Sequence, residues 1–187
     1  EGLLIGSACE EGEVFQAVLE KESDAKLEKI ISFYDYLEVQ PVNNHILLKT
    51  QGLVRDDEEL RAINNRIISL GEKLKKPVVA TGDVHFLEPE DSIFRSILQF
   101  SQNVRNHDVQ PDLYFKTTDE MLEEFAYLGK EKAEEIVIDN PAIILSRIGD
   151  ISLYPKHPEN KTTFAPVWDT AEEDIRSMAM GKAHALY

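Results

Sequence analysis

Strand-like and helix-like segments alternate over the first 85 residues, and this order limits the fold more than any other feature of the sequence. Short apolar runs typical of strands lie at residues 3–5, 36–39 and 77–81. Apolar residues at helical spacing lie between them, at 13–19, 25–34 and 57–75. A β-α-β-α-β order requires parallel strands joined by helical crossovers. We therefore predict an α/β fold with a parallel sheet.

The segment 57–75 gives the strongest helical pattern. Its apolar residues repeat at intervals of three and four: Leu60, Ile63, Ile67, Leu70 and Leu74. Asp56 and Asp57 are suitable N-terminal caps. This pattern predicts a long helix with one buried face. Residues 43–54 fit neither period, and we interpret them as a loop with a short helix.

Further helices are predicted beyond residue 85. Thr117 and Glu120 form a capping box that opens one of them. The other predicted helices lie at 91–100, 130–138 and 142–148. Because proline removes a backbone donor, we expect Asn140-Pro141 to separate the last two. Residues 113–116 are predicted to be extended.

The chain is predicted to divide near residue 151. Residues 152–169 are polar and contain three prolines, as in a linker. A second capping box, from Thr170 to Glu173, predicts a final helix over 170–187. Trp168 and Phe164 are expected to pack the linker onto the body.

Composition narrows the classes of function. The 187 residues carry 35 acidic and 20 basic side chains, a net charge of −15. This argues against the chain itself gripping DNA, since phosphates require a basic face. The single cysteine excludes an internal disulfide and fits a reducing cytoplasm. No apolar run approaches the ~20 residues that span a bilayer, so no membrane partner is expected. The chain lacks an initial Met, and we interpret it as cut from a longer one.

Polar side chains follow three of the predicted strands. Residues 7–10 follow the first, 38–40 end the second, and Asp83 and His85 follow the third. Active-site groups of parallel α/β folds gather at the carboxyl ends of the strands. The sequence therefore predicts a shared site at this edge.

Asp83 and His85 are candidate metal ligands. One residue separates them, so an extended backbone would place both side chains on the same side. Carboxylate and imidazole together can bind divalent metals. Gly82 would let the backbone turn there. The alternative is an Asp that accepts from loop amides and a His in an ordinary hydrogen bond, and the sequence leaves both open.

Cys9 lies at the matching edge, where a thiolate would favour zinc. A buried, inert cysteine is an equal alternative. Glu10 is expected to serve the N-terminus of the next helix. The remaining histidines, which have no partner motif, are expected in solvent: His45, His107, His157 and His184. Neither a phosphate loop nor a Ser-His-Asp set is visible, so no catalytic residue is predicted.

Six segments carry a resemblance to a known family. Residues 2–13 and 80–85 resemble metal motifs of PHP (polymerase and histidinol phosphatase) domains. Residues 34–41, 115–125 and 136–141 resemble segments of bacterial polymerase III alpha subunits, and residues 174–187 resemble the entry into the polymerase portion of such chains. Their combination resembles the PolC type of replicative DNA polymerase III.

The resemblance implies a fold and a ligand set. It implies a partial distorted (β/α)7 PHP barrel over 1–151, a linker over 152–169 and the first helix of the polymerase region over 170–187. The matching ligands would be Cys9, Asp83 and His85, holding zinc or manganese, with the other ligands in a first half that is absent here. Magnesium would serve nucleotidyl transfer elsewhere in the parent.

The resemblance also implies a function. The chain would belong to a replicative DNA-directed DNA polymerase with an associated 3′–5′ exonuclease, and alone would be inactive. Its PHP half would have a structural role or hydrolyse phosphodiesters; a stand-alone PHP phosphatase is the alternative. The implied partners are the rest of the polymerase chain (first half of PHP, exonuclease and palm domains), DNA bound by the parent, and a sliding clamp.

Overall fold

A computed structural model describes residues 2–151 and 166–186. The chain divides into two compact units, Glu1–Ile148 and Gly149–Tyr187. Most of the predicted linker, with Phe164 and His157, lies outside the described residues.

A small parallel sheet lies at the centre of the first unit. Strand β1 (Leu37–Val39) pairs with β2 (Val78–Ala80), with Leu37 opposite Val78. Gly6 forms a single parallel bridge to Tyr36, and Phe86 forms another to Tyr114. The predicted α/β class and the parallel strands are confirmed. The barrel stays a prediction, because the described residues form only a two-stranded sheet and two bridges.

Helices make up much of the described chain. Those before β2 are α1 (Glu13–Leu19), α2 (Asp24–Ile31), α3 (Ile46–Thr50) and α4 (Asp57–Leu74). Those after it are α5 (Ser92–Ser101), α6 (Thr118–Glu124), α7 (Lys130–Glu134), α8 (Asn140–Ser146) and α9 (Ala171–Leu186). Short 3-10 turns lie at Val42–His45, Pro89–Asp91 and Ala126–Leu128. Among the described residues, no helix is both long and apolar enough to span a membrane.

Helix α4 forms the main crossover and confirms the predicted helix at 57–75. Asp56 caps it by accepting a hydrogen bond from the amide of Glu59, and Lys75 ends it in the left-handed conformation. Its apolar stripe packs against α1, β1 and β2, where Leu60, Ile67 and Leu70 are fully buried. Burial of this stripe stabilises the fold through the hydrophobic effect.

The interruption predicted at Asn140-Pro141 is wrong. Residues 130–146 run as one helical rod, in which a π-turn at Glu135–Asp139 joins α7 to α8. A proline ring clashes with the carbonyl four residues earlier, here that of Val137. The wider π-turn contains Val137 and so accommodates the ring. Asn140 fixes the rod to the sheet by donating to the Val78 carbonyl at 2.8 Å.

Two predicted capping boxes have different outcomes. Thr117 and Glu120 form the box expected for α6. At α9, the Thr170 hydroxyl bonds the carboxylate of Asp174 at 2.8 Å, where the sequence pattern had indicated Glu173. The Trp168 indole also donates to Asp174, and its ring is exposed. Asp174, one turn into α9, thus takes the place that the sequence pattern assigned to Glu173.

Candidate metal centre

Two loops leave the same edge of the sheet. Because Gly6 and β2 both run parallel to β1, the residues that follow them emerge together. We call residues 7–12 the Cys9 loop and residues 81–85 the Asp83 loop. Tyr36 directly precedes β1. Its pKa is raised mainly by burial and secondly by the charge of Glu38.

Hydrogen bonds and close packing define the Cys9 loop. The buried Ser7 hydroxyl accepts from the amide of Glu38 at 2.9 Å, and the Gly12 amide donates to the Cys9 carbonyl at 2.9 Å. A Cβ on Gly12 would lie 2.2 Å from the Ser7 carbonyl oxygen, so this turn requires glycine. Ala8 has a φ of 61°, a left-handed conformation that is unfavourable for a residue with a Cβ.

The Asp83 loop is anchored on both sides. The Thr81 amide donates to the Val39 carbonyl at 3.0 Å, and its hydroxyl donates to Glu38 at 3.1 Å. The His85 amide donates to the Leu113 carbonyl at 2.8 Å. Glu38 therefore contacts both loops, through its amide and through its carboxylate.

Asp83 and His85 lie together, but the expected extended backbone is wrong. Asp83 has a φ of 48°, and the positive φ falls on this residue rather than on Gly82. Asp tolerates the left-handed region because its short polar side chain can hydrogen-bond locally. The Asp83 carboxylate lies 4.0 Å from Nδ1 of His85, and the two side chains are 38 % and 42 % exposed.

A hydrogen bond to the backbone fixes the orientation of the His85 ring. Its Nδ1 lies 2.7 Å from the backbone carbonyl of Asp83. Because a carbonyl only accepts, Nδ1 is the donor, and in a neutral imidazole Nε2 would then keep its lone pair. A backbone carbonyl in this position is the usual partner of a metal-ligating histidine.

Cys9 is half-buried and carries no disulfide. Within residues 2–151 and 166–186, no three His, Cys, Asp or Glu side chains converge closely enough to hold a metal ion. Cys9, Asp83 and His85 are therefore not gathered into one closed group. Their donor types suit zinc or manganese, and the loops that carry them leave the same edge of the sheet.

The buried His45 and the partly buried Glu10 form a pair that sequence reasoning missed. His45 is 1 % exposed, and its Nδ1 lies 2.6 Å from the Glu10 carboxylate. Its ring also packs on Phe15, with centroids 4.8 Å apart. The expectations of a solvated His45 and of Glu10 at a helix N-terminus are wrong. His45 and Glu10 are 35 positions apart, and the segment around His45 has no periodic hydrophobic pattern. Neighbouring residues therefore give no indication of this contact.

Two other histidines have definite positions. His107 is half-buried against Phe100, so its expected solvation is also wrong. His184 is exposed on α9, as expected.

Asn44 links the 3-10 turn Val42–His45, to which it belongs, to the Asp83 loop. Its side-chain amide donates to the Gly82 carbonyl at 2.9 Å. Among the described residues, neither Oδ1 of Asn44 nor Nε2 of His45 has a hydrogen-bond partner, although both atoms are buried. Native structures contain few such atoms, and each requires an explanation.

Comparison with known proteins gives a consistent result. No protein-family model matches the chain. The chain is 51 % identical over 187 residues to the DNA polymerase III PolC-type of Caldanaerobacter subterraneus, and 48 % identical over 187 residues to that of Clostridium perfringens. It is 48 % identical over 190 residues to that of Bacillus subtilis. Each match covers 100 % of this chain and 13 % of the relative, so the chain spans about an eighth of those proteins. The extent and level of identity place the chain in the family of PolC-type DNA polymerase III.

Proposed function

We propose that this chain is a segment of a replicative DNA-directed DNA polymerase with an associated 3′–5′ exonuclease, and that it supplies half of a metal-binding PHP domain. The observation that carries the proposal is identity of 42–51 % over the full chain to polymerases of the PolC type. Identity over the whole length favours a polymerase segment over a separate phosphatase that shares only metal motifs.

The proposed role of the segment is structural. Cys9, Asp83 and His85 lie on loops that leave one edge of the sheet, and their donor types suit zinc or manganese. When bound, the metal supplies a cross-link between these loops, and its binding energy stabilises the folded state. The first half of the PHP domain, in another part of the polymerase chain, would supply the remaining ligands.

DNA binding is proposed for other parts of the polymerase. The net charge of −15 makes this segment a poor surface for phosphates. By contrast, helix α5 exposes a row of large apolar side chains. An apolar row of this size supports packing against the remainder of the polymerase chain.

The metal content of the full-length polymerase that carries this segment tests the proposal. Replacing Cys9 by Ser, Asp83 by Asn or His85 by Gln should each lower the metal retained after dialysis. His184→Gln, on the exposed face of α9, is the matched control and should leave the content unchanged. Unchanged metal in all three ligand variants would refute the site.

Activity assays separate the structural role from hydrolysis. We expect the three ligand variants to lower thermal stability while their residual exonuclease activity follows the folded fraction. Hydrolysis of a phosphodiester that persists after the exonuclease site is inactivated, and disappears with Asp83→Asn, would assign catalysis to this segment instead.

The 187-residue chain alone provides a complementary test. It should bind metal weakly, because only three ligands are present, and should not extend a primer. Tight stoichiometric binding of three ions, or robust primer extension, would contradict the proposal of half a site.

A further inference from the structure

The 3-10 turn Val42–His45 contacts both loops of the candidate site through consecutive side chains. Asn44 donates to the Gly82 carbonyl at 2.9 Å, next to Asp83. His45 bonds the Glu10 carboxylate at 2.6 Å, next to Cys9. We infer that Asn44 and His45 are positioning residues that fix the separation between the Cys9 loop and the Asp83 loop. This inference rests on the proposed metal site.

The geometry of the turn explains how it reaches both loops. A 3-10 helix has three residues per turn, so neighbouring side chains diverge by about 120°. Asn44 and His45 therefore point to different loops from one short piece of backbone. Carboxylates only accept, so Nδ1 of His45 donates to Glu10.

The turn itself is firmly placed. Only Gln40 and Pro41 separate it from β1, and the backbone amide of Asn44 donates to the Pro41 carbonyl at 3.0 Å. Val42, its first residue, and Leu48 of the following helix α3 are buried in the core. Movement of the turn would thus disturb the core, which makes it a fixed reference for the two loops.

The side chains of Asn44 and His45 each combine an unpaired buried atom with a hydrogen bond to one of the loops. Asn44 is 3 % exposed and His45 1 %, yet each keeps one buried polar atom without a partner among the described residues. Such an atom is destabilising, and an apolar residue of similar shape would avoid that cost. The bonds that the two side chains do make are the ones that reach the loops.

Asn64 provides a matched control within the same fold. Like Asn44, it is buried, donates to a backbone carbonyl at 2.9 Å and leaves Oδ1 unpaired. Its further contact is with the hydroxyl of Tyr127, and its carbonyl partner, Gln40, lies outside both loops. Asn→Asp at either position removes the donor without changing the size of the side chain.

Cobalt binding by the full-length polymerase that carries this segment tests the inference. A thiolate ligand gives bound Co²⁺ a charge-transfer absorption band. The fraction of this absorption that is lost in Cys9→Ser reports the Co²⁺ bound at the proposed site. Loss of a residue that orients a ligand typically lowers metal affinity by about 10–100-fold. We expect Asn44→Asp and His45→Leu to weaken the Cys9-dependent Co²⁺ binding by this amount. His45→Asn, whose amide can donate from near the Nδ1 position, should restore most of it.

The control separates positioning from general destabilisation. Asn64→Asp should lower the unfolding temperature about as much as Asn44→Asp, yet change Co²⁺ affinity by less than about twofold, since its bonds reach neither loop. Equal losses of affinity in the two variants, or none in Asn44→Asp, would overturn the inference.

Hydrogen exchange distinguishes failure of the inference from failure of the metal site. In metal-free polymerase, amides of residues 81–85 should exchange about tenfold faster in Asn44→Asp and remain unchanged in Asn64→Asp. If no Cys9-dependent Co²⁺ absorption exists, the proposed site is wrong, and this exchange result still decides whether the turn holds the loop. Unchanged exchange in Asn44→Asp would refute the positioning role even if cobalt binds.

Discussion

Helices α4 and α5 carry the same kind of apolar stripe and lie in opposite environments. In α4, the side chains of Leu60, Ile67 and Leu70 are each 1 % exposed. In α5, the large apolar residues are 58–65 % exposed: Ile93, Phe94, Ile97, Leu98 and Phe100. Both helices are amphipathic, so the pattern of the sequence alone does not separate them.

Topology accounts for the difference. Helix α4 connects β1 to β2, so its stripe lies directly against the sheet that it crosses. Helix α5 follows the Asp83 loop, and no later strand among the described residues gives it a sheet to cover. An amphipathic pattern thus predicts that a face will be buried, whereas the partner depends on which strands are present. The chain covers 13 % of its PolC-type relatives, so we expect the apolar face of α5 to pack against another part of the polymerase.

The largest expected effect comes from truncating one isoleucine in each helix. Ile67→Ala in α4 should lower the free energy of unfolding of the 187-residue chain by about 2–5 kcal/mol, because it leaves a cavity. Ile97→Ala in α5 should change it by no more than about 0.5 kcal/mol, because the side chain is exposed. Urea denaturation measures both, and equal losses would contradict the comparison.

A pair of glycine substitutions should have opposite signs. A Cβ on Gly71 of α4 would lie 2.4 Å from Cγ2 of Val78, so Gly71→Ala should destabilise the chain by about 1–3 kcal/mol through overpacking. Gly181 in α9 faces open space, and Gly181→Ala should stabilise that helix by about 0.5–1 kcal/mol. Thermal unfolding followed by circular dichroism tests both. If Gly71→Ala left the thermal stability unchanged, α4 would have to lie farther from Val78 of β2 than the close contact at Gly71 implies.

The exposure of α5 should be lost in the full-length polymerase. If other parts of the protein cover its apolar face, its amides should exchange at least about tenfold more slowly there than in the 187-residue chain, a difference of about 1.4 kcal/mol. The amides of α4, already buried, are the internal control and should change much less. Identical exchange of α5 in the two proteins would show that the face remains uncovered. Slower exchange in a dimer of the short chain would instead indicate a second copy as the partner.

The smallest effects concern two carboxyl groups of α6, which packs on the same core as α4. The Thr117 amide, followed by its hydroxyl, lowers the pKa of Glu120. Its contribution to stability is therefore present above the unfolded value of about 4.5 and lost as pH falls through the lower folded value. Glu120→Gln should reduce the loss of stability in acid.

Glu124 should show the opposite behaviour. Burial, opposed by the charge of Lys116, raises the pKa of Glu124. Stability should then fall as pH rises from about 4.5 through the raised folded value, and Glu124→Gln should remove that fall. Unfolding midpoints measured from pH 3 to 8 compare the two variants. The same pH dependence in both would contradict these opposite shifts.

Local features of the fold could be predicted from sequence, because their causes lie within a few residues. The periodic stripe of α4, its Asp56 cap and the capping box at Thr117 depend on neighbouring positions. The continuous rod at 130–146 was not predictable, because its π-turn accommodates a proline that ordinarily ends a helix.

The candidate site was predictable only in part. Strand ends indicated Cys9, Asp83 and His85, since parallel strands deliver their following loops to one edge. The left-handed backbone of Asp83 had no sequence signal, because Asp is compatible with several conformations. The burial of His45 depends on Glu10, 35 positions away, and only the folded chain reveals such a contact.

Anomalous diffraction at the zinc and manganese edges, from crystals of the full-length polymerase, is the most direct test of metal binding by Cys9, Asp83 and His85. We expect an ion bonded to Cys9, Asp83 or His85 at about 2.0–2.3 Å, with all three serving as ligands of one metal cluster. Its remaining ligands should come from other parts of the polymerase. A fully occupied metal cluster elsewhere in the protein, with these three side chains unliganded, would contradict it.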